Sequence, residues 1–269
     1  RFRAWRNAGN FCRRRVALYK ETLVQCGSMT PSILVVTPTY NERESISLLV
    51  EKVFSLRIPG LRMMVVDDNS PDGTGELAAA LAKRYPIAVL RRAAKQGLGT
   101  AYVEAFKKIL KGEHPPDYVI QMDADLSHDP ASIPAMLQAI KDCDLVIGSR
   151  YVPGGRIENW DRFRRIVSRL NVFVRFILNV PYHDLTAGFK CFRREVLARM
   201  NLDALSSIGY NFQIETTYLA HRLGFRIREL PICFTERKLG TSKFNIPIIF
   251  ESFIRVALLR FRRTPRPAK

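Results

Sequence analysis

The chain has 269 residues, 47% hydrophobic and 25% charged, which excludes a disordered polypeptide and allows one large α/β domain with appendages. Its 43 Lys and Arg against 25 Asp and Glu give a formal charge of +18, pointing to a polyanionic partner: nucleic acid, an anionic membrane or a phosphorylated substrate. Cys12, Cys26, Cys143, Cys191 and Cys233 form no Cys-x-x-Cys pair and accompany no His cluster, so they read as reduced and structural, as in a reducing compartment.

Residues 1–28 carry seven Lys or Arg and one Glu, without the apolar core of a secretory signal. Residues 1–30 therefore read as a basic extension: either an Arg-rich targeting arm or a frayed segment ahead of Met29. The run SILVVTPTY (32–40) predicts a buried strand by its length and β-branched content, and a helix follows at about 43–55 with Ile46, Leu49, Val50 and Val53 on one face. MMVVDDNSPDGTG (63–75) repeats the format, with a helix from about 75 to 84. IAVLRR (87–92) predicts a third strand, GLGTAYVEAFKKIL (97–110) a helix, YVIQMDAD (118–125) a fourth strand and CDLVIGSRY (143–151) a fifth, after a helix near 130–141. This alternation predicts a doubly wound, mostly parallel sheet covered on both faces.

Beyond about 156 two amphipathic, arginine-rich helical stretches are expected, at 165–178 and 248–263, followed by a basic tail at 264–269. Such helices either cover a core or lie in a membrane interface with arginines at the headgroups. No stretch reaches the roughly 18 apolar residues that span a bilayer, since Arg175 interrupts one candidate and Glu251, Arg255 and Arg260 the last. Any membrane attachment is therefore expected to be peripheral.

Polar residues gather where predicted strands end: Tyr40, Asn41 and Glu42; Asp67 and Asp68; Asp123 and Asp125; Ser149 and Arg150. Ligands of open α/β sheets bind at those carboxyl ends, so one shared cleft is expected. Asp-x-Asp alone is a weak signal, because 25 acids in 269 positions give about two acid-x-acid pairs by chance. At the end of a buried strand, however, Asp123 and Asp125 can share a hard cation, Mg²⁺ or Mn²⁺, with water and phosphate oxygens. Asp129 reads as the cap of the helix opening at Pro130. Asp67 or Asp68 is expected to accept from a base or ribose, and His128 and His183 read as structural. GLGTA (97–101) lacks the G-x-G-x-x-G spacing and any Walker Lys-Ser/Thr, which argues against dinucleotide and P-loop sites.

VVTPTYNERE, VVDDNSPDGTG, GLGTAY, MDADLSHDP, GSRYVPGG, DLTAGFKCFRREVL, GYNFQIE and ERKLGTSK occur in an order and spacing that resembles the dolichyl-phosphate mannose synthases. These are polyprenyl-phosphate glycosyltransferases of family 2 with a GT-A fold, and the similarity spans about residues 32–258. The resemblance implies a GT-A domain over 31–244, and inverting transfer of mannose from GDP-mannose to a dolichyl or other polyprenyl phosphate. It implies that Pro38, Tyr40, Glu42, Val65 and Asp67 hold the guanosine, and that Asp123, Ala124 and Asp125 hold the metal and diphosphate. Arg237 and Lys243 would close on the donor phosphates. Arg150, Arg164 and Ser168 match positions that grip the acceptor phosphate, Arg150 serving the donor as well. Ser127 stands where some relatives place a glutamine on the metal, and a hydroxyl ligates directly or through water.

The resemblance also implies a protein peripheral on the cytoplasmic face of a membrane, the endoplasmic reticulum in a eukaryote or the plasma membrane in a prokaryote. Some relatives carry spanning segments or depend on small membrane-anchoring subunits, and such a partner is compatible with this chain. The rival donor is UDP-glucose, giving a polyprenyl-phosphate glucosyltransferase. A basic nucleic-acid module is the rival from another class, but the basic residues lack interleaved stacking aromatics, so nucleic acid is not expected as a partner.

Overall fold

The structure is a computed structural model, and it describes residues 30–158, 170–205, 211–235 and 258–261. In chain order these form β1 (Ile33–Thr39), α1 (Arg43–Ser55), β2 (Leu61–Asp67), α2 (Thr74–Leu81), β3 (Ile87–Arg91), α3 (Leu98–Lys111) and β4 (Tyr118–Gln121). There follow α4 (Ile133–Ala139), flanked by short 3₁₀ turns, β5 (Leu145–Ser149), β6 (Arg156–Glu158), α5 (Leu170–Leu178) and β7 (Lys190–Arg193). The order ends with α6 (Arg194–Arg199), α7 (Asn211–Arg222), β8 (Ile227–Pro231) and β9 (Cys233–Thr235).

Among the described residues one sheet of seven strands runs β3-β2-β1-β4-β7-β5-β8, and β6 pairs with β9 beside it. β1, β2, β3 and β4 are mutually parallel, as are β5 and β8, so the predicted parallel architecture holds. β7 runs antiparallel between β4 and β5, a reversal that the strand–helix alternation did not foretell.

Alternation along each strand divides the apolar side chains between two cores. Ile33, Val35, Met63, Val65 and Ile120 face α1, α2 and α4, where they meet Leu49, Val53, Ala78 and Met136. Leu34, Val36, Met64, Val66 and Val119 face α3, α6 and α7, where they meet Tyr102, Phe106, Val196 and Phe212. Each such side chain contributes about 1.5–3 kcal/mol when fully buried, and burial on both faces locks the strand register. The shared direction of β1, β2, β4 and β5 brings their polar carboxyl ends to one edge. A third cluster joins Val174 and Leu178 of α5 to Ile214 and Tyr218 of α7 and to Leu259. Of the two amphipathic stretches, only 170–178 and 258–261 fall within the described residues, and both are helical there. Residues 1–29 and the 264–269 tail lie outside them.

Candidate active site

At the end of β1 the chain turns through Asn41 in the left-handed region, at φ 59°. The Asn41 amide donates to Ser70 Oγ at 3.1 Å and the Glu42 amide to Thr74 Oγ1 at 3.0 Å, so the loop after β1 is fastened to the loop after β2. Asp72 completes the fastening by accepting from the Arg43 amide and from Thr74. Partial burial pushes its carboxyl up, but the hydrogen bonds from Thr74 and Arg43 outweigh that and hold it below its usual value. Tyr40 lies under Lys95, whose Nζ is 3.6 Å from the ring centroid.

The adjacent carboxylates of β2 divide the work. Asp67 accepts from Thr39 Oγ1 at 3.2 Å and from Ser70 Oγ at 2.6 Å. A Cβ on Gly75 would stand 2.7 Å from its Oδ2, so the helix start presses on this carboxylate. Asp68 is clamped to buried Arg92 at 2.6 Å and accepts from the Gln96 and Gly97 amides. Asp68 therefore serves the GLGTA loop rather than a ligand, which narrows the expected base or ribose contact to Asp67. Gly97, at φ 94°, is the residue type this turn requires, and it opens α3.

After β4 come Asp123 and Asp125, both half-buried, with Ala124 packed into the core between them. Leu126 occupies the left-handed region at φ 62°, a conformation costing a bulky residue about 1–2 kcal/mol, and this kink turns the chain back. Ser127 then donates to Asp125 Oδ1 through both its amide, at 3.0 Å, and its hydroxyl, at 2.6 Å. Ser127 thus pins the carboxylate on which it was expected to help ligate a metal. His128 is 3% exposed and stacks on Phe189, while its Nδ1 accepts from the Asp123 amide at 3.3 Å. The same Nδ1 lies 3.8 Å from the Asp123 carboxylate, so the ring is packed and bonded within the loop, in keeping with a structural residue. Asp129 accepts from the Ala131 amide at 3.1 Å, the expected cap.

A Cβ on Gly188 would sit 3.1 Å from Asp123 Oδ2, so the loop before β7 leaves the carboxylate clear on a side that any larger residue would fill. Two carboxylates, a hydroxyl and that clearance are an all-oxygen donor set suited to a hard cation. Among the described residues no group of three His, Cys, Asp or Glu side chains that could hold a metal gathers.

Arg150, past the end of β5, is held by a residue that sequence reasoning passed over. Asp184 is fully buried and accepts from Arg150 Nε at 2.8 Å, Nη2 at 2.7 Å and the amide at 3.0 Å, and Thr186 Oγ1 accepts from Nη2 at 2.7 Å. Burial pushes the Asp184 carboxyl up, and the Arg150 charge with its hydrogen bonds overcomes this and holds it low. Glu229 of β8 fixes the same loop through the His183 and Asp184 amides, both at 2.8 Å. The signal lay in DLTAGFK, where an acid and a hydroxyl two residues apart precede a strand; the partner 34 positions away gave no local sign.

Behind the Asp pair lies a buried polar floor that sequence reasoning also missed. Lys190 is fully buried and donates to the Gln213 carbonyl at 2.6 Å and to Thr216 Oγ1 at 3.0 Å. Burial pushes its ammonium down to about 7 against the pull of Asp184. Tyr102 stacks on Phe212, and burial, with the Asp123 and Asp125 charges adding to it, pushes its phenol well above the usual range. Arg164, Ser168, Arg237 and Lys243 lie outside the described residues. Pro38, Tyr40, Glu42, Asp67, Ala124, Asp123, Asp125, Ser127 and Arg150 stand on or beside the carboxyl edge, whereas Val65 lies within β2 with its side chain fully buried in the core, away from the edge.

Residues 34–200 match the model of glycosyl transferase family 2. The chain belongs to that family. It is 45% identical over 232 residues to polyprenol monophosphomannose synthase of Mycolicibacterium smegmatis, covering 85% of this chain and 86% of that one. It is 42% identical over 226 residues to undecaprenyl-phosphate mannosyltransferase of Micrococcus luteus, covering 83% and 92%. Glucosyl-3-phosphoglycerate synthase from Mycobacterium tuberculosis, crystallised with Mn²⁺, UDP and glucosyl-3-phosphoglycerate, superposes with a TM-score of 0.63 over 89% of this chain and 82% of that one. At 17% identity that likeness shows the shared GT-A-like fold alone.

Proposed function

We propose that this family 2 glycosyltransferase transfers mannose from GDP-mannose to a polyprenyl monophosphate, with inversion at the sugar carbon. The observation that carries it is the Asp123–Asp125 pair at the carboxyl edge, in a chain 45% identical to a protein named polyprenol monophosphomannose synthase. Tyr40, Glu42 and Asp67 bound the side of the edge where the nucleoside sits, and Asp67 is the carboxylate there not committed to the GLGTA loop.

Asp123 and Asp125 would hold Mg²⁺ or Mn²⁺, with Ser127 keeping Asp125 in place. A divalent cation bound there neutralises charge on the nucleoside diphosphate leaving group. Arg150, aligned by Asp184, meets the acceptor phosphate; the family resemblance assigns Arg164 and Ser168 to the same phosphate and Arg237 and Lys243 to the donor phosphates. The acceptor is a phosphate monoester whose second pKa near 6 leaves it ionised at neutral pH, so no strong general base is required. This accords with a His128 turned to structural use. Proximity of two anionic groups held by fixed cations supplies much of the rate.

The same reading places the enzyme on a membrane. Among the described residues no helix is long and apolar enough to cross one. Val172, Phe173 and Phe176 of α5 and Leu258 and Phe261 nonetheless stand exposed, at 60–84%. Together they make an apolar patch of the kind that enters an interface. A small membrane-anchoring subunit would find the same patch.

Incubation with polyprenyl phosphate, Mg²⁺ and radiolabelled GDP-mannose or UDP-glucose separates the two donors. Label entering the organic phase from GDP-mannose is expected; label entering only from UDP-glucose would replace mannose by glucose in this account.

A further inference from the structure

β9 joins the two halves of the candidate site. On one side it pairs in parallel with β6, where Phe234 stands opposite Ile157. On the other it meets the loop after β4: Phe234 bridges His128 in antiparallel sense, and the Thr235 amide donates to the Ser127 carbonyl at 3.2 Å. The loop whose Ser127 pins Asp125 is thereby sewn to a strand.

The half-buried Phe234 ring reaches both halves at once. It meets the His128 ring edge to face, with centroids 5.6 Å apart and planes at 68°, while Phe189 stacks on His128 at 5.2 Å. The guanidinium carbon of Arg150 lies 5.3 Å from the Phe234 centroid and 5.2 Å from that of Tyr151. Both kinds of contact are attractive, because the face of an aromatic ring is negative and its edge positive.

Short connections carry these contacts to the chemistry. His128 Nδ1 accepts from the Asp123 amide at 3.3 Å, Ser127 donates twice to Asp125, and Arg150 is fixed by Asp184. Arg150 being so held, the movable side of the bridge is the loop. Its Leu126 sits at φ 62°, a conformation that a bulky residue keeps only while its surroundings over-determine it. The Phe234 ring and the Thr235 amide are among those surroundings.

We propose that Phe234 is a positioning residue, which wedges the Asp125–His128 loop against Arg150 and thereby sets the separation of donor diphosphate and acceptor phosphate. The proposal rests on the reading of Asp123 and Asp125 as cation ligands and of Arg150 as the acceptor contact. Each substrate binds in its own half, so the ring matters when the two must meet. A displacement near 1 Å then costs roughly a hundredfold in rate and leaves each binding step intact.

The test is steady-state kinetics of F234L and F234Y with GDP-mannose, polyprenyl phosphate and Mg²⁺, together with calorimetric GDP binding in Mg²⁺ and a melting curve for each. F234L removes the ring and is expected to lower kcat by about ten- to a hundredfold. Its KM for polyprenyl phosphate, its GDP affinity and its GDP stoichiometry are expected to change less than about threefold. F234Y keeps the ring and is expected to stay within about threefold of the wild-type kcat. Where F234L does not fold, F234M, whose flexible side chain fills gaps, carries the same expectation. A ringless variant with kcat within about twofold of wild type overturns the proposal. So does a fall in kcat matched by an equal loss of GDP-binding sites, the mark of a structural role alone, or an effect confined to KM. A wild type that transfers no sugar from GDP-mannose overturns the functional reading and this proposal with it, whereas an active wild type beside an unimpaired F234L removes the proposal alone.

Discussion

Replacing Asp184 by asparagine tests the bond that orients Arg150. The carboxylate takes three hydrogen bonds from Arg150 in a fully buried setting. The side-chain amide of the Asp184→Asn variant would keep one acceptor, set an N–H group against the guanidinium donors, and remove the carboxylate charge from beside a buried guanidinium. Breaking such a pair costs about 3–5 kcal/mol. For a chain of this size that lowers the melting temperature by roughly 6–20 °C. The pH dependence has a defined sign. Because the folded carboxyl titrates below its ordinary 3.8, its contribution is fully present above that value and is lost as pH falls through the lower folded value. The gap between wild type and variant should therefore close below about pH 4. If Arg150 grips the acceptor, its loosened guanidinium should also lower kcat/KM for polyprenyl phosphate by roughly a hundredfold. Thermal unfolding at pH 7 and at acid pH, with steady-state kinetics at varied acceptor, reads all of this. A variant melting within about 2 °C of wild type at pH 7, with unchanged acceptor kinetics, would refute the reasoning.

Two neighbouring arginines should behave in opposite ways. Arg92→Leu strands buried Asp68 and frees the Gln96–Gly97 loop, so a loss of about 3–5 kcal/mol in urea unfolding is expected, whereas Arg91→Leu, whose pair with Glu76 is exposed, should cost under about 1 kcal/mol. Lys190→Met should stabilise the fold at pH 7, since burial disfavours the ammonium and the Gln213 carbonyl keeps the Thr217 hydroxyl as a donor. The Lys190 ammonium is lowered to about 7 against an ordinary 10.5, so the unfolded chain binds more protons between those values and wild-type stability rises with pH across that window. The advantage of the Met variant should therefore shrink toward pH 10, and an advantage constant with pH would contradict the assignment.

The sheet edge could be read from the sequence because its signals are local. β1, β2, β4 and β5 are β-branched runs that end abruptly in polar residues, and Asp129 stands directly before the Pro130 that opens the turn it caps. α7 was missed for a physical reason: every residue from Asn211 to Ala220 is buried, so the helix shows no one-sided apolar stripe. β7 has only four residues and carries a buried lysine, which no alternation of apolar and polar positions reveals. Asp184 and Glu229 act across 34 to 46 positions of chain, a pairing that only the folded sheet brings about. Asp68 looked like a ligand carboxylate because, like Asp67, it stands where a strand ends. Its commitment to Arg92 depends on the neighbouring strand.

The central claim is that Asp123 and Asp125 bind a divalent cation together with the donor diphosphate. Calorimetric titration of GDP into wild type and Asp125→Ala, each in Mg²⁺ and in EDTA, tests it most directly. Wild type is expected to bind GDP at least about tenfold more tightly with the metal than without, and the variant to bind weakly and alike in both. A folded Asp125→Ala protein that keeps the full metal-dependent gain would contradict the account.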